Sequence, residues 1–314
     1  GQPIVINPIK DWFIDVYVLY LLDGIKYQCW DGTTLADVVL EDADNLGHSP
    51  SADFVAVINS AVCVTRRGNR WFYASGADQL VYSEDGYPLR FHETNIINVS
   101  TPDNDVINAL WTLNDGLLIF KKRTVHYFSG WDFANGTDPK LIQLNVTSGT
   151  EFPDTIRTIE NGVLFLGNNG IYKLYVQYLS SLISAKNISD KKISNKLFSS
   201  PIKRARAIVF NNVYYLSIDS DTNKEFRYYI QQEAYYGPFT QGVYSYMPFL
   251  ENSDKLYIGS SNGYVLYYNP SSYHYINTNT GEINDIPIVA KTKGFDVVGN
   301  MFQDSKVKKI FVGA

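Results

Sequence analysis

The chain reads as all-β, one short antiparallel meander used six times, on three observations. Strand-forming residues are abundant, with 24 Tyr and 17 Phe in 314 residues and aromatics at 15%, and such side chains suit a half-buried pleated sheet. The meanders carry no competing helical period. Turn pairs cut the apolar runs at regular places: first turns fall about 42 to 50 residues apart, and a second turn follows each by about 7 to 11 residues. Meanders repeating at about 40 to 50 residues predict a β-propeller, because one meander cannot bury both its faces until neighbours cover them.

The first copy, about residues 13–39, runs IDVYVLYLL, turns at Asp23-Gly24, continues as IKYQCW and turns again at Asp31-Gly32 before TTLADVV. The second, about 54–100, has VAVINSAVCVT, a turn around Arg67-Gly68, NRWFYAS, a turn around Gly76-Ala77-Asp78, then QLVYS, with TNIINVS as a fourth strand. The third, about 106–146, is the best marked. Asn114-Asp115-Gly116 makes its first turn, the charged corner Lys121-Lys122-Arg123 its second, and KLIQLNV its fourth strand. Asn-Gly and Asp-Gly pairs supply the positive φ that two-residue hairpins need.

The fourth copy, about 155–176, turns at Asn161-Gly162 and Asn169-Gly170; the fifth, about 205–232, at Asn211-Asn212 and at residues 220–224. The sixth, about 244–269, turns at residues 252–254 and at Asn262-Gly263. Residues 286–314 hold two further strands, IPIVAKTKGFDVV and KVKKIFVGA, expected to close the ring by pairing with the first blade and removing an open sheet edge. A seventh blade built from both termini is the alternative the spacing leaves open. The linker 177–203 has Ser189-Asp190 ahead of Ile193, Leu197 and Phe198, which predicts one short helix with a polar cap. Residues 1–314 are read as a single propeller domain, and the bare ends at Gly1 and KKIFVGA as those of a segment of a longer polypeptide.

Bulk properties narrow the function. Net charge is −5, which disfavours broad binding along a phosphate backbone. No apolar run approaches the ~18 residues of a membrane helix. Cys29 and Cys63 sit in strand-like runs and are expected as small buried hydrophobes, not a disulfide.

Chemistry is hard to find. His48, His92, His126 and His274 are far apart, with no metal-ligand spacing, and His126 is expected to be a satisfied structural histidine. Asp219, Asp221 and Asn223 begin a calcium-loop spacing, but Lys224 stands where the loop needs Gly and Ile230 where it needs Glu, so a polar hairpin turn is expected. Ser83-Glu84-Asp85-Gly86 resembles the Asp-box turn of sialidase propellers with Gly86 one place early and Phe91 off the Trp position. No motif assembles an arginine cluster with a Tyr/Glu nucleophile pair. Sequons at Asn98, Asn135, Asn145 and Asn187 arise readily in an Asn-rich chain. Tyr235, Tyr236, Tyr273 and Tyr275 suit sugar stacking or protein contact equally. No catalytic, cofactor or metal residue is expected, no cofactor, and no enzymatic activity.

Three stretches in order, GNRWFYASGADQLVYSEDGYPLRF (68–91), INALWTLNDGLLIFKKRTVHYFSG (107–130) and PDTIRTIENGVLFLGNNGIYKL (153–174), resemble successive segments of phage tail propeller proteins. YQCWDGTTLADV (27–38) looks like that family's opening blade, and AKTKGFDV with KVKKIFVGA like its exit strands. The linker 177–203 and the loop 270–285 depart from it. The resemblance implies a tail hub or nozzle protein of a short-tailed bacteriophage, made in the bacterial host cytoplasm and resident in the virion. It implies a ring of copies, a hexamer, in contact with an adaptor and with fibres or spikes, and phage DNA as passing cargo only. A carbohydrate-binding or glycan-cleaving propeller is the alternative.

Overall fold

The computed structural model describes residues 11–15, 18–22, 27–38, 41–42, 52–59, 69–75, 78–83, 90–92, 94–99, 105–113, 116–129, 140–176, 183–190, 192–221, 223–239, 243–248, 256–260, 265–268, 274–276 and 283–285. The chain divides into two compact units, residues 1–268 and residues 269–314.

The first unit holds one antiparallel sheet per predicted copy, each with its strands in chain order from first to last. Sheet one is Asp11–Asp15, Val18–Leu22, Tyr27–Trp30 and Leu35–Val38. Sheet two is Ala52–Asn59, Asn69–Ser75, Gln79–Tyr82 and Ile96–Asn98. Sheet three is Ile107–Leu113, Gly116–Lys121, Val125–Ser129 and Lys140–Gln143. Sheet four is Arg157–Ile159, Gly162–Gly167, Gly170–Val176 and Ile183–Asn187. Sheet five is Arg204–Phe210, Val213–Asp219, Lys224–Tyr229 and Ala234–Phe239. Sheet six has three strands among the described residues, Val243–Pro248, Leu256–Ser260 and Val265–Tyr268. A short parallel pair, Glu41–Asp42 with Arg90–Phe91, adds a bridge between the linkers.

Strand periodicity explains how the sheets stack. Successive side chains point to opposite faces, and the strand Gly116–Lys121 is buried at every position. Leu117 and Ile119 pack with Leu80, Val99 and Phe128 on the side of sheet two. Leu118 and Phe120 pack with Val163, Phe165 and Leu174 of sheet four. Sheet four repeats the division, since Leu164 and Leu166 turn the other way onto Tyr214, Leu216 and Phe226 of sheet five. Val213 and Tyr215 then meet Leu256 of sheet six. Each fully buried side chain of this kind contributes roughly 1.5–3 kcal/mol.

First strands also lie against first strands: that of sheet two touches those of sheets one and three, and that of sheet five those of sheets four and six. Trp111 Nε1 donates to Thr158 Oγ1 across 2.9 Å, tying the first strands of sheets three and four. Face-packed four-stranded meanders with their first strands gathered together are the β-propeller fold the spacing predicted.

Polar groups fasten the seams. At the charged corner Lys121-Lys122-Arg123, Lys121 is fully buried. Its Nζ donates to the Asp105 main-chain oxygen at 2.8 Å. The Asp105 carboxylate accepts from the backbone N–H groups of Lys122 and Arg123 at 3.2 and 2.6 Å, and so caps the turn. Thr150, in the linker to sheet four, donates from its backbone N–H to the Lys121 carbonyl and from Oγ1 to the Leu166 carbonyl. Because its ammonium is hydrogen-bonded to a main-chain oxygen, a buried lysine survives here.

Local differences from the sequence expectation have local causes. The helix is one turn, Ser194–Leu197, with Ile193 at its N-cap and no capping side chain. Ser189-Asp190 instead sit in a turn where Asn187 Oδ1 accepts from both backbone N–H groups. The copies expected to stop at residues 176 and 232 each gain a fourth strand, Ile183–Asn187 and Ala234–Phe239. Asn211 and Asn212 both take positive φ, as a two-residue hairpin turn requires. In the second unit the loop 270–285 contains a small hairpin, His274–Ile276 with Ile283–Asp285. The closing strands assigned to 286–314 lie outside the described residues.

Candidate functional site

Two places gather chemically capable side chains. The first lies in the seam between sheets five and six. Register places Arg206, Ser217 and Glu225 side by side across three strands, on the face turned toward sheet six, where Ser217 Oγ donates to the Val243 carbonyl at 3.1 Å. Glu225 is 0% exposed. One of its oxygens accepts from Arg227 Nε at 2.8 Å and the other from the Tyr246 hydroxyl at 3.1 Å. The Arg227 guanidinium lies over the Phe239 ring at 4.4 Å and the Tyr215 ring at 5.4 Å, so its charge is met by a carboxylate and two π faces.

Sequence reasoning found no motif that brings a Tyr/Glu pair to an arginine, and this group is what it missed. The signal was present in Glu225 and Arg227, charged residues two apart in the strand Lys224–Tyr229, hence on one face. Its electrostatics fit a lock between sheets, not a nucleophile. Burial, and then the Glu225 charge, push the Tyr246 phenol well above its ordinary range, so it stays a proton donor at neutral pH. The Glu225 charge is already shared with Arg227. Beside the row opens a small cleft lined by Arg204, Arg206, Ser217, Asp219 and Asn223. Arg206 Nε stands 3.6 Å from Asp154 Oδ2, so this arginine has a partner.

The second place is the outer rim of sheets four and five. Tyr228 and Tyr235 lie with ring centroids 4.7 Å apart, and Tyr229 and Tyr236 meet edge-on at 4.8 Å. Tyr236 is 55% exposed. Burial pushes the Tyr235 phenol far up, and its buried hydroxyl has no hydrogen-bond partner among the described residues. Lys192 Nζ is 5.8 Å from the Tyr235 ring centre and donates to the Glu233 main-chain oxygen at 3.2 Å. Lys186 Nζ is 3.8 Å from Glu233 Oε2. Lys173 faces Lys186 directly across the ladder.

The other residues singled out in the sequence take structural places or fall outside the description. His126 is buried with a ring nitrogen 3.2 Å from Thr124 Oγ1, and burial, then the Lys121 charge, lower its pKa. Asp219 ends its strand and accepts the Lys203 backbone N–H through its carbonyl, and Asp221 pairs with Lys203 Nζ at 3.4 Å. This is the polar turn expected. Cys29 is a half-buried free thiol. His48, Cys63, Asn135, Tyr273 and residues 84–89 lie outside the described residues; so do the side chains of Tyr275 and His274. Among the described residues no group of three or more His, Cys, Asp or Glu is placed to hold a metal ion, and no helix is long and apolar enough to cross a membrane.

No protein-family model and no curated protein matches the chain. Among solved structures it is similar to Hsv2 of Kluyveromyces lactis, at 11% identity over 84% of this chain and 76% of that one, with a TM-score of 0.49. It is also similar to BamB of Moraxella catarrhalis, at 9% identity over 89% and 74%, with a TM-score of 0.47. A third is BBS1N in complex with ARL6DN, at 8% identity over 80% and 74%, with a TM-score of 0.49.

Proposed function

We propose that the chain is a non-enzymatic structural protein of a virion, a hub or nozzle component of a short bacteriophage tail that binds neighbouring tail proteins around the DNA exit channel. The observation that carries this reading is the order of three phage-tail-like segments along residues 68–174. The distribution of charge supports it: Lys121 is bonded to the Asp105 carbonyl, and Glu225 to Arg227 and to Tyr246 of the next sheet, so these buried charges serve the fold. What faces outward is suited to contact. The edge strand Lys140–Gln143 is exposed at all four positions, with Leu141 at 36% and Ile142 at 48%. In the assembled tail, copies form a ring, a hexamer, with the adaptor above and fibres or spikes beside it.

The test is co-assembly. The full-length gene product, mixed with the adaptor encoded beside it, gives a ring-sized species in light scattering and a stable complex on gel filtration. Neighbouring genes without portal, adaptor or tailspike overturn the assignment. A second reading, a glycan-binding module, is favoured by Tyr236 exposed beside Tyr229, since aromatic faces stack on sugars. Specific micromolar binding on a glycan array, lost in Tyr236→Ala, puts that reading first.

A further inference from the structure

We propose that the outer rim between sheets four and five docks an acidic, extended peptide segment of a partner protein, laid along the strand Ile183–Asn187 with its carboxylates on Lys173, Lys186 and Lys192. The inference rests on the chain being an interaction scaffold and names one surface and the chemistry of its partner.

The argument begins with two lysines in an unfavourable place. Lys173 and Lys186 are direct cross-strand partners, and like charges set opposite each other on one face destabilise a ladder. They sit on the same face as Leu164, through the register Leu164↔Lys173, and Leu164 packs toward sheet five. Both side chains therefore lie on the face turned toward sheet five, where that of Lys186 is 57% exposed. Lys192 joins them from the turn after Ile183–Asn187, beside Tyr235.

Among the described residues one carboxylate, Glu233, pairs with this group, at 3.8 Å from Lys186 with both side chains 57% exposed. Such a pair contributes about 0–1 kcal/mol, so the rim keeps most of its positive potential. Asp190, in the Asn187 turn, is the other acid of that stretch. Lys173 Nζ also lies 5.9 Å from the Tyr175 ring centre, so the cations are set among aromatic faces.

Edge geometry selects the kind of polyanion. Ile183–Asn187 is the last strand of its sheet, and an edge strand offers main-chain groups for strand addition. A peptide uses both the edge and the lysines, whereas a nucleic acid uses only the lysines and meets a chain of net charge −5. Glu233 then acts as an internal stand-in, displaced from Lys186 when the partner's carboxylate arrives.

The test uses the whole chain and fluorescence anisotropy with a labelled peptide of about eight alternating Thr and Glu residues. A Thr/Gln peptide of equal length and a single-stranded oligonucleotide of equal charge are the comparisons. The Glu peptide binds best, and affinity falls about tenfold or more in Lys173→Gln/Lys186→Gln and on raising salt from about 0.05 to about 0.5 M. Glu233→Gln tightens binding about threefold or more, because the competing carboxylate is gone. All three positions are at the rim, and far-UV circular dichroism verifies that each variant folds. Equal binding of the Thr/Gln peptide, or lysine-dependent binding of the oligonucleotide at equal strength, overturns the proposal. So does weaker binding in Glu233→Gln. If the peptide fails while co-assembly with the adaptor succeeds, the rim is wrong and the scaffold reading stands.

Discussion

The Tyr214 hydroxyl donates to the main-chain oxygen of Thr155 across 2.8 Å, joining the middle of sheet five to the turn ahead of sheet four. Both residues are fully buried. Tyr214→Phe keeps the ring and strands the Thr155 carbonyl without that donor. Stability falls by about 1–3 kcal/mol, read as a lower urea midpoint with an unchanged slope.

Removing one partner of the buried pair between sheets five and six is more damaging. Glu225→Ala leaves the Arg227 guanidinium in a seam with its carboxylate gone, at a cost of about 3–5 kcal/mol. Glu225→Leu combined with Arg227→Met recovers most of that loss, because no uncompensated charge is left. Denaturant unfolding of the two single variants and the double variant forms the cycle. A double variant no more stable than Glu225→Ala contradicts the assignment.

Stability has two pH flanks. Tyr246 and Tyr235 have folded-state pKa values above the ordinary tyrosine value of 10.0. The folded chain thus holds these protons more tightly than the unfolded one, and their contribution is complete below pH 10 and lost as pH rises beyond it. His126 is shifted the other way, below 6.5. Its contribution is complete above that value and lost as pH falls through the lowered folded pKa. Thermal unfolding between pH 4 and 11 shows both declines. His126→Gln flattens the acid side, and Tyr246→Phe the alkaline one.

Gly162 has φ +153°, and a Cβ there falls 1.9 Å from the Leu174 carbonyl oxygen, a main-chain atom that cannot swing aside. Gly162→Ala therefore costs more than about 1 kcal/mol. At Gly32, with φ +97° and open space around it, only the backbone preference is lost. A urea series separates the two: Gly162→Ala is the less stable.

Tyr235→Phe runs opposite to Tyr214→Phe. The Tyr235 hydroxyl is buried without a partner among the described residues, so deleting it removes a desolvated polar group and raises stability by about 1 kcal/mol. The ring stack on Tyr228 is kept. A loss of stability overturns the unpartnered state of that hydroxyl.

The sheets were legible because strand period and turn chemistry are local. Asn211-Asn212, Asp31-Gly32 and Lys122-Arg123 each announce a bend from a few residues. The fourth strands of sheets four and five were missed for the same reason. ISAKN and AYYGPF carry no strong alternation, and pairing with Gly170–Val176 and Lys224–Tyr229 decides them. Lys121 in a run of charges gave no hint of burial, since its shelter comes from Asp105 and from the linker at Thr150. Glu225 and Tyr246 lie about twenty residues apart, on different sheets, and only stacking brings them together.

The strand Gly116–Lys121 spends alternate side chains on two different neighbours, Leu117 and Ile119 on one and Leu118 and Phe120 on the other. A substitution there answers to two packing surfaces at once, and none of its positions is left to drift. Hairpin tips and outermost strands, which answer to at most one packing surface, tolerate substitution more readily. The same stacking that makes the interior rigid thus leaves the rim as the part of the molecule able to acquire new partners without refolding.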